Sequence, residues 1–216
     1  WRFAARLEQA GHIGGDFYDF VDRGRSLLVL LADVSGKGIP AALVMASARA
    51  LFRQIARETD RPDEVLTRLG RALWEEHGGT PYLTGFLARL DLDSRSLSWV
   101  NAGHPPALLV TGTAHRALGS TGPPAGILPD ARYTAEELPL APGDTLVAVT
   151  DGVTEALEAG GRVEERVAWT VAQRRDKGPQ AVCERVMRLA ASGRGPVGAG
   201  EWADDRTVVA VTLDKP

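Results

Sequence analysis

The segment at residues 26–38, SLLVLLADVSGKG, decides the first part of the fold. Its apolar residues run continuously through residues 26–33 instead of alternating, which is typical of a strand covered on both faces. Gly36 and Gly38 then predict a turn. Pro40 opens a stretch in which apolar residues recur at helical spacing. The segment therefore predicts a buried strand, a glycine turn and a helix, in that order.

Elements on either side of this segment predict an α+β fold. A second helix is expected at 62–77, and three short apolar stretches between 82 and 111 predict a meander of three strands. Further expectations are a loop with short strand pieces at 112–142, a buried strand at 145–150 ending at Asp151-Gly152, helices at 163–174 and 179–191, a flexible loop at 192–200 and a last strand at 206–213. Adjacent helices, a block of strands, then helices and a strand favour an α+β order, with antiparallel sheets and helices outside.

Composition excludes several classes of function. The chain has 216 residues, 44% of them hydrophobic, and a formal net charge of −3, so no basic excess favours nucleic acid or an anionic membrane. The only cysteine, Cys183, allows no internal disulfide and no cysteine-based zinc site, which predicts a reducing, cytoplasmic setting. The longest apolar run, 27–32, is far shorter than the roughly 20 residues that span a bilayer, so no membrane contact is expected.

Four acidic positions lie where predicted strands meet turns. Asp16 lies in GGDFYDF, Asp33 and Asp151 follow apolar strands, and Asp204-Asp205 precedes the last one. Carboxylates that converge repel each other unless a cation compensates, and all-oxygen ligands favour Mg²⁺ or Mn²⁺ over Zn²⁺. The alternative is that these aspartates only shape turns and cap strands, as aspartate beside glycine commonly does. Spacing alone leaves both interpretations open.

Six ordered motifs carry a resemblance to a known family. They are residues 14–20 (GGDFYDF), 32–38 (ADVSGKG), 101–106 (NAGHPP), 126–128 (GIL), 150–155 (TDGVTE) and 204–207 (DDRT). The chain resembles the metal-dependent protein phosphatases of the type 2C (PPM) superfamily, specifically the bacterial SpoIIE/RsbU branch, from about residue 10 to 213. The resemblance implies a four-layer α-β-β-α sandwich of two mostly antiparallel sheets flanked by helices. Residues 1–216 are then one catalytic domain, excised from a longer multidomain regulator.

The resemblance also implies a ligand set for two divalent ions, Mn²⁺ or Mg²⁺, and catalysis through a water that these ions activate. The implied ligands are Asp33 between both metals, the Val34 backbone carbonyl, Asp16 on the second metal, Asp151 on the first, and Asp204 from the last acidic pair. Asp205 stands where eukaryotic relatives commonly have asparagine and is ranked below Asp204. Asp19 is expected to act through water. The substrate-binding arginine of the eukaryotic pattern has no counterpart in a matching motif.

Other reactive residues have two interpretations each. His104 could protonate the leaving oxygen, or stabilise a tight turn together with Asn101. Glu155 could hold a partner across the site, or simply belong to the first turn of a helix. Lys37 lacks P-loop spacing, and Cys183 is predicted to be a small buried hydrophobe. The acidic pair of a diguanylate cyclase signature does not follow GGDF, so nucleotide cyclisation is not expected.

The expected function is that of a serine/threonine protein phosphatase that hydrolyses a phosphomonoester. The branch implies a phosphorylated anti-sigma-factor antagonist of the STAS type as substrate, and an N-terminal sensor or dimerisation module. The helices at 40–57 and 62–77 are hypothesised to form a switch and a homodimer face. Two alternatives remain: a catalytically weak interaction module that binds its phosphoprotein partner, and a small-molecule phosphatase. The presence of Asp16, Asp33, Asp151 and Asp204 favours catalysis over the interaction module.

Overall fold

The structure is a computed structural model that describes residues 1–158, 161–193 and 204–214. Its strands are β1 Arg2–Glu8, β2 Phe17–Asp22, β3 Ser26–Val34, β4 Leu83–Asp91, β5 Ser96–Ala102, β6 Ala107–Thr111, β7 Ala114–Leu118, β8 Glu136–Pro139, β9 Thr145–Val149 and β10 Arg206–Thr212. Its helices are α1 Gly38–Glu58, α2 Pro62–His77, α3 Asp151–Glu158, α4 Val163–Ala172 and α5 Pro179–Ser192, with a short 3-10 helix at Arg175–Lys177.

The chain divides into two compact units, each with its own sheet. The terminal unit comprises Trp1–His12, Pro105–Leu118 and Ala141–Pro216, and the central unit comprises Ile13–His104 and Gly119–Leu140. Each sheet has five strands, and every pair of neighbouring strands in it is antiparallel. The predicted α+β class with two antiparallel sheets is confirmed.

The central unit is built around β3, as the sequence predicts. Its sheet has the order β2-β3-β4-β5-β8, so β3 is an interior strand. Eight of its nine residues are buried, and Leu28 and Leu30 face α1 and α2 through a core that also contains Phe52 and Leu69. The unbroken apolar run at 27–32 is what a strand with two buried faces requires.

Helices α1 and α2 form as predicted, and the ends of α2 carry the appropriate signals. Helix α1 ends before Thr59, which is extended. Pro62 starts α2, where a missing N–H is harmless, and acidic residues in its first turn suit the helix dipole. Gly78 ends α2 in the left-handed conformation at φ 65°, which glycine adopts without the steric cost of a Cβ.

The terminal unit has the sheet order β1-β10-β9-β6-β7 and carries α3, α4 and α5. Its core joins valines of β9 and β10 to apolar residues of the three helices, among them Val153, Val167 and Val186. The predicted strands at 145–150 and 206–213 and the predicted helices at 163–174 and 179–191 correspond to β9, β10, α4 and α5.

The predicted three-strand meander is wrong in its third strand. Strands β4 and β5 form a hairpin, but β6 pairs with β7 and β9 in the sheet of the terminal unit. The chain leaves the central sheet at Gly103, whose φ is 67°, and continues through Pro105 and Pro106. Because proline has no N–H to donate, the two prolines prevent this segment from continuing the β4–β5 ladder.

Three elements were not predicted as the structure has them. Strands β1 and β2 were not predicted, and β1 lies at a sheet edge with every residue exposed or partly exposed. Helix α3 begins at Asp151, where a strand end and turn were expected.

Most of the loop predicted at 192–200 lies outside the described residues. Among the residues that are described, no helix combines the length and apolar character needed to cross a bilayer.

Candidate functional site

Asp33 lies near the end of β3, where the buried strand turns toward α1. It is partly exposed, whereas Val34 after it is buried. Two hydrogen bonds hold the next residue: the Ser35 N–H donates to the Tyr82 carbonyl, and the Tyr82 N–H donates to Ser35 Oγ, both at 2.9 Å. The end of β3 therefore presents Asp33 from a fixed turn.

The segment that leads to Asp16 passes directly against Asp33 and Val34. A Cβ added to Gly15 would lie 2.7 Å from the Val34 carbonyl oxygen and 3.2 Å from Asp33 Oδ1. Only a residue without a side chain allows this approach. Asp16 follows immediately and is 4% exposed. The central unit thus brings the segment containing Asp16 to the Asp33 carboxylate and the Val34 carbonyl.

A second acidic set lies in the terminal unit. Helix α3 starts at Asp151, and a Cβ added to Gly152 would overlap the Asp205 carbonyl oxygen and lie 3.1 Å from that of Asp204. The junction is held by two hydrogen bonds between Thr150 and Thr207, at 2.9 and 3.1 Å. The structure therefore places the start of α3 against the Asp204-Asp205 backbone.

Asp205 has a structural contact that Asp204 does not share. Its side chain is buried, and Oδ1 accepts a hydrogen bond from the Ala10 N–H at 2.9 Å. Asp204 is partly exposed, and its Oδ1 accepts from the Asp205 N–H at 2.9 Å. The Asp205 carboxylate therefore ties the N-terminal segment to the start of β10, and its order below Asp204 as a ligand stays a prediction.

The acidic residues of each unit offer oxygen donors of one chemical kind. The donors in both units are carboxylate and carbonyl oxygens, which suit Mg²⁺ or Mn²⁺, and Gly15 leaves room between Asp33 and Val34 that a Cβ would fill. The chemistry of these donors therefore suits such ions. No group of three or more His, Cys, Asp or Glu side chains positioned to hold a metal occurs within the described part of the chain. The individual ligand assignments stay predictions.

His104 is buried, and its ring contacts Thr84, the residue of β4 that pairs with Asp33. Its backbone N–H donates to Asn101 Oδ1 at 2.8 Å, so the Asn101 side chain stabilises this turn, and both roles predicted for the His104 ring stay predictions. Its Nδ1 lies 3.1 Å from Thr84 Oγ1. Thr84 pairs with Asp33 across β3 and β4, and directly opposed residues project from the same face. The sequence did not single out Thr84, because its importance depends on strand register.

Asp19 anchors α1 to the sheet of the central unit. It is buried on β2, and Arg53 donates to its carboxylate at 2.5 and 2.6 Å while Arg49 donates at 3.1 Å. Burial opposes ionisation of Asp19, but the hydrogen bonds from Arg53 and Arg49 outweigh it and lower the pKa. Both carboxylate oxygens bind arginines, and the expected role through water stays a prediction.

Cys183 is buried, whereas Glu155 is exposed. Burial raises the pKa of the Cys183 thiol to about 12, so the predicted buried hydrophobe is confirmed and a thiolate nucleophile is disfavoured. Glu155 is exposed in α3, four residues after the helix begins.

Comparison with known proteins identifies the family. The Stage II sporulation protein E (SpoIIE) family matches residues 23–214. The chain belongs to the SpoIIE family. Among its relatives, protein IcfG of Synechocystis is 32% identical over 186 residues, covering 72% of this chain and 29% of IcfG. The phosphoserine phosphatase RsbU of Bacillus subtilis is 31% identical over 157 residues, covering 72% of this chain and 47% of RsbU. The SpoIIE-family chain thus spans less than half of these relatives.

Solved structures share the fold. The SiaA-PP2C domain of Pseudomonas aeruginosa has a TM-score of 0.85 at 23% identity, covering 98% of this chain and 86% of that one. The RsbU and RsbW domains of Rv1364c from Mycobacterium tuberculosis give 0.83 at 27% identity, with coverage of 100% and 61%. RsbX in complex with magnesium gives 0.67 at 16% identity, with coverage of 98% and 96%. The predicted family and fold class are confirmed, and the PPM phosphatases as a family are metal-dependent.

Proposed function

We propose that this chain is the catalytic domain of a serine/threonine protein phosphatase that uses water as the nucleophile. The observation that carries the proposal is the contact at Gly15. A side chain there would strike the Val34 carbonyl and crowd Asp33. A segment that needs glycine in order to bring Asp16 to two further oxygen donors is poorly explained as an ordinary turn.

Two divalent ions, Mn²⁺ or Mg²⁺, would be held by the predicted ligands. These are Asp16, Asp33 and the Val34 carbonyl in the central unit, and Asp151 and Asp204, with Asp205 as the weaker candidate, in the terminal unit. When bound, such ions lower the pKa of water and neutralise charge on phosphoryl oxygens during in-line displacement. The protein's own contribution is to fix the donors, through the Ser35–Tyr82 hydrogen bonds in one unit and the Thr150–Thr207 hydrogen bonds in the other.

His104 is proposed to deliver a proton to the leaving serine or threonine oxygen. The Thr84 hydroxyl contacts Nδ1 of His104, and the Asn101 side chain accepts a hydrogen bond from the His104 backbone N–H. Together these two contacts give the His104 ring a defined orientation. The proton would be delivered from Nε2. General acid catalysis of this kind contributes about 10²- to 10⁴-fold when the geometry is suitable.

A phosphorylated STAS-type anti-sigma-factor antagonist is the proposed substrate. Support comes from RsbU, a phosphoserine phosphatase, and from Rv1364c, in which an RsbU domain and an RsbW domain occur in one structure. We further propose that an N-terminal sensor or dimerisation module controls the domain. The chain's limited share of its relatives' length is consistent with such a module.

The decisive experiment measures hydrolysis of para-nitrophenyl phosphate by the purified domain in Mn²⁺, in Mg²⁺ and in EDTA. We expect metal-dependent turnover that falls by about 100-fold or more in Asp33→Ala and in Asp151→Asn, because each variant removes a metal-ligand oxygen. Asp93→Asn is the matched control, since Asp93 is an exposed aspartate outside both acidic sets. Turnover that survives EDTA, or that is equal in all three variants, would refute the metal-dependent assignment.

A further inference from the structure

The terminal unit contains a cavity that the proposed reaction does not use. Its volume is about 340 Å³, within the range of small-ligand pockets. Four buried residues of β6, β9 and α4 line it, namely Leu108, Val147, Val149 and Val167. Pro105 and Pro106 complete the apolar surface. A compact hydrocarbon group would therefore bury apolar area on entering.

The polar side chains that line the cavity are all hydrogen-bond acceptors toward a ligand. Thr154 donates its hydroxyl hydrogen to the Asp151 carbonyl at 3.1 Å, which leaves the oxygen lone pairs for a ligand. Glu158 and Glu164 also line the cavity, and both side chains are exposed at its margin. Within the described residues neither carboxylate forms an ion pair.

We propose that this cavity binds a small apolar cation, an amine whose protonated nitrogen lies at Glu158 and Glu164 and whose hydrocarbon body fills the apolar part. A cation would be attracted by two carboxylates that form no ion pair among the described residues, and its N–H groups suit the acceptor on Thr154. An anion would be repelled by the same carboxylates, and a neutral ligand would gain no charge attraction from them. The site adjoins α3, the helix that begins at Asp151.

Three probes of nearly equal size test the charge requirement. We titrate the protein with 2-phenylethylammonium, 2-phenylethanol and phenylacetate, and follow backbone amide shifts of ¹⁵N-labelled protein by NMR. We expect the amine to bind with a Kd on the order of 1 mM and to shift amides of β6, β9 and α4. The alcohol is expected to bind about tenfold more weakly, and phenylacetate to cause no saturable shift.

Substitutions then test the two carboxylates. Glu158→Gln is expected to weaken binding of the amine about fivefold, and the double variant Glu158→Gln/Glu164→Gln to remove saturable binding below roughly 20 mM. Glu165→Gln is the matched control, because Glu165 is exposed in the same helical turn but does not line the cavity. The control should bind as the wild type does.

Several results would overturn the proposal. Equal affinity for the amine and the alcohol would show that the carboxylates contribute nothing. Binding of phenylacetate as tight as that of the amine, or an unchanged Kd in the double variant, would contradict the charge argument. Absence of saturable amide shifts with the amine up to about 20 mM would show that the cavity is not a binding site for this class. All of these readouts are independent of phosphatase activity.

Discussion

At the scale of a single residue, Gly15 determines how closely two strand ends can approach. Gly15→Ala places a methyl group 2.7 Å from the Val34 carbonyl oxygen, and a backbone atom cannot move aside as a flexible side chain can. We expect a loss of about 1–3 kcal/mol in the free energy of unfolding and weaker metal activation. Urea denaturation and a Mn²⁺ titration of phosphatase activity measure these two effects.

The control for that substitution is Gly11→Ala. Nothing lies within 4 Å of a Cβ at Gly11, and its φ is not positive. This variant should be as stable as the wild type or slightly more stable, because alanine restricts the unfolded chain. If both variants behave alike, the close approach at Gly15 has no special consequence for this protein.

Asp19 is a second residue whose contacts make a defined prediction. Asp19→Asn leaves Arg49 and Arg53 without a carboxylate, which should lower the free energy of unfolding at pH 7 by about 2 kcal/mol. This is less than for a fully buried pair because both arginines are half exposed. Asp93→Asn, at an exposed ion pair, should change it by less than about 0.5 kcal/mol.

The same substitution has a pH signature. Hydrogen bonds from Arg53 and Arg49 lower the pKa of Asp19 in the folded protein despite the opposing effect of burial. Its contribution is therefore complete above the unfolded-state pKa, about 3.9, and is lost as pH falls through the lower folded-state pKa. The stability difference between wild type and Asp19→Asn should shrink below about pH 4. A difference that grows with acidity would contradict this assignment.

For single residues, the sequence shows the candidate metal ligands more clearly than the side chains that contact the motif residues. The aspartates and glycines of the motifs are visible because they cluster along the chain. The arginines that hold Asp19 lie 30 and 34 positions away, on α1, and Thr84 lies 20 positions from His104. Such partners are determined by helix placement and strand register, which local patterns do not encode.

At the scale of the element, α1 has an apolar face that the central core does not cover. Ile39 and Leu43 are one helical turn apart and each is 65% exposed. The proposed homodimer face at this helix predicts that Ile39→Ser/Leu43→Ser raises the dimer dissociation constant about tenfold. Sedimentation measures the change, and Gln54→Ser, on an exposed position of the same helix, is the control. Unchanged oligomeric state and activity in the double variant would remove the idea.

Elements were predictable where burial is continuous or helical spacing is clear. β3, α1 and α2 satisfy these conditions, and their predicted bounds agree closely with the structure. The edge strand β1 does alternate, with Phe3, Ala5 and Leu7 between the charged residues Arg2, Arg6 and Glu8, but it is short and partly exposed along its length, which weakens the signal. The error at β6 has another cause: a short apolar strand after a turn carries no information about which sheet it joins.

At the scale of the whole molecule, the predicted α+β class follows from element order, whereas the division into two sheets of five strands does not. That division depends on β6 and β8 joining different sheets, although both lie between β5 and β9 in sequence. The expected four-layer arrangement comes from the family resemblance, since local hydrophobic patterns describe one strand or helix at a time. The full set of metal ligands likewise draws on motifs that are far apart along the chain.

Metal binding should also appear in the stability of the whole molecule. A ligand that binds only the folded state at 100 times its Kd adds about 2.7 kcal/mol to stability, which for a chain of this size raises Tm by about 5–10 °C. We expect Mn²⁺ to produce such a rise, EDTA to reverse it, and Asp93→Asn to retain it. Asp33→Ala and Asp151→Asn should each lose it, although they lie in different units. A rise of the same size in both variants would mean that the ions stabilise the protein elsewhere, and the predicted ligand set would then be wrong even if the protein hydrolyses phosphate esters.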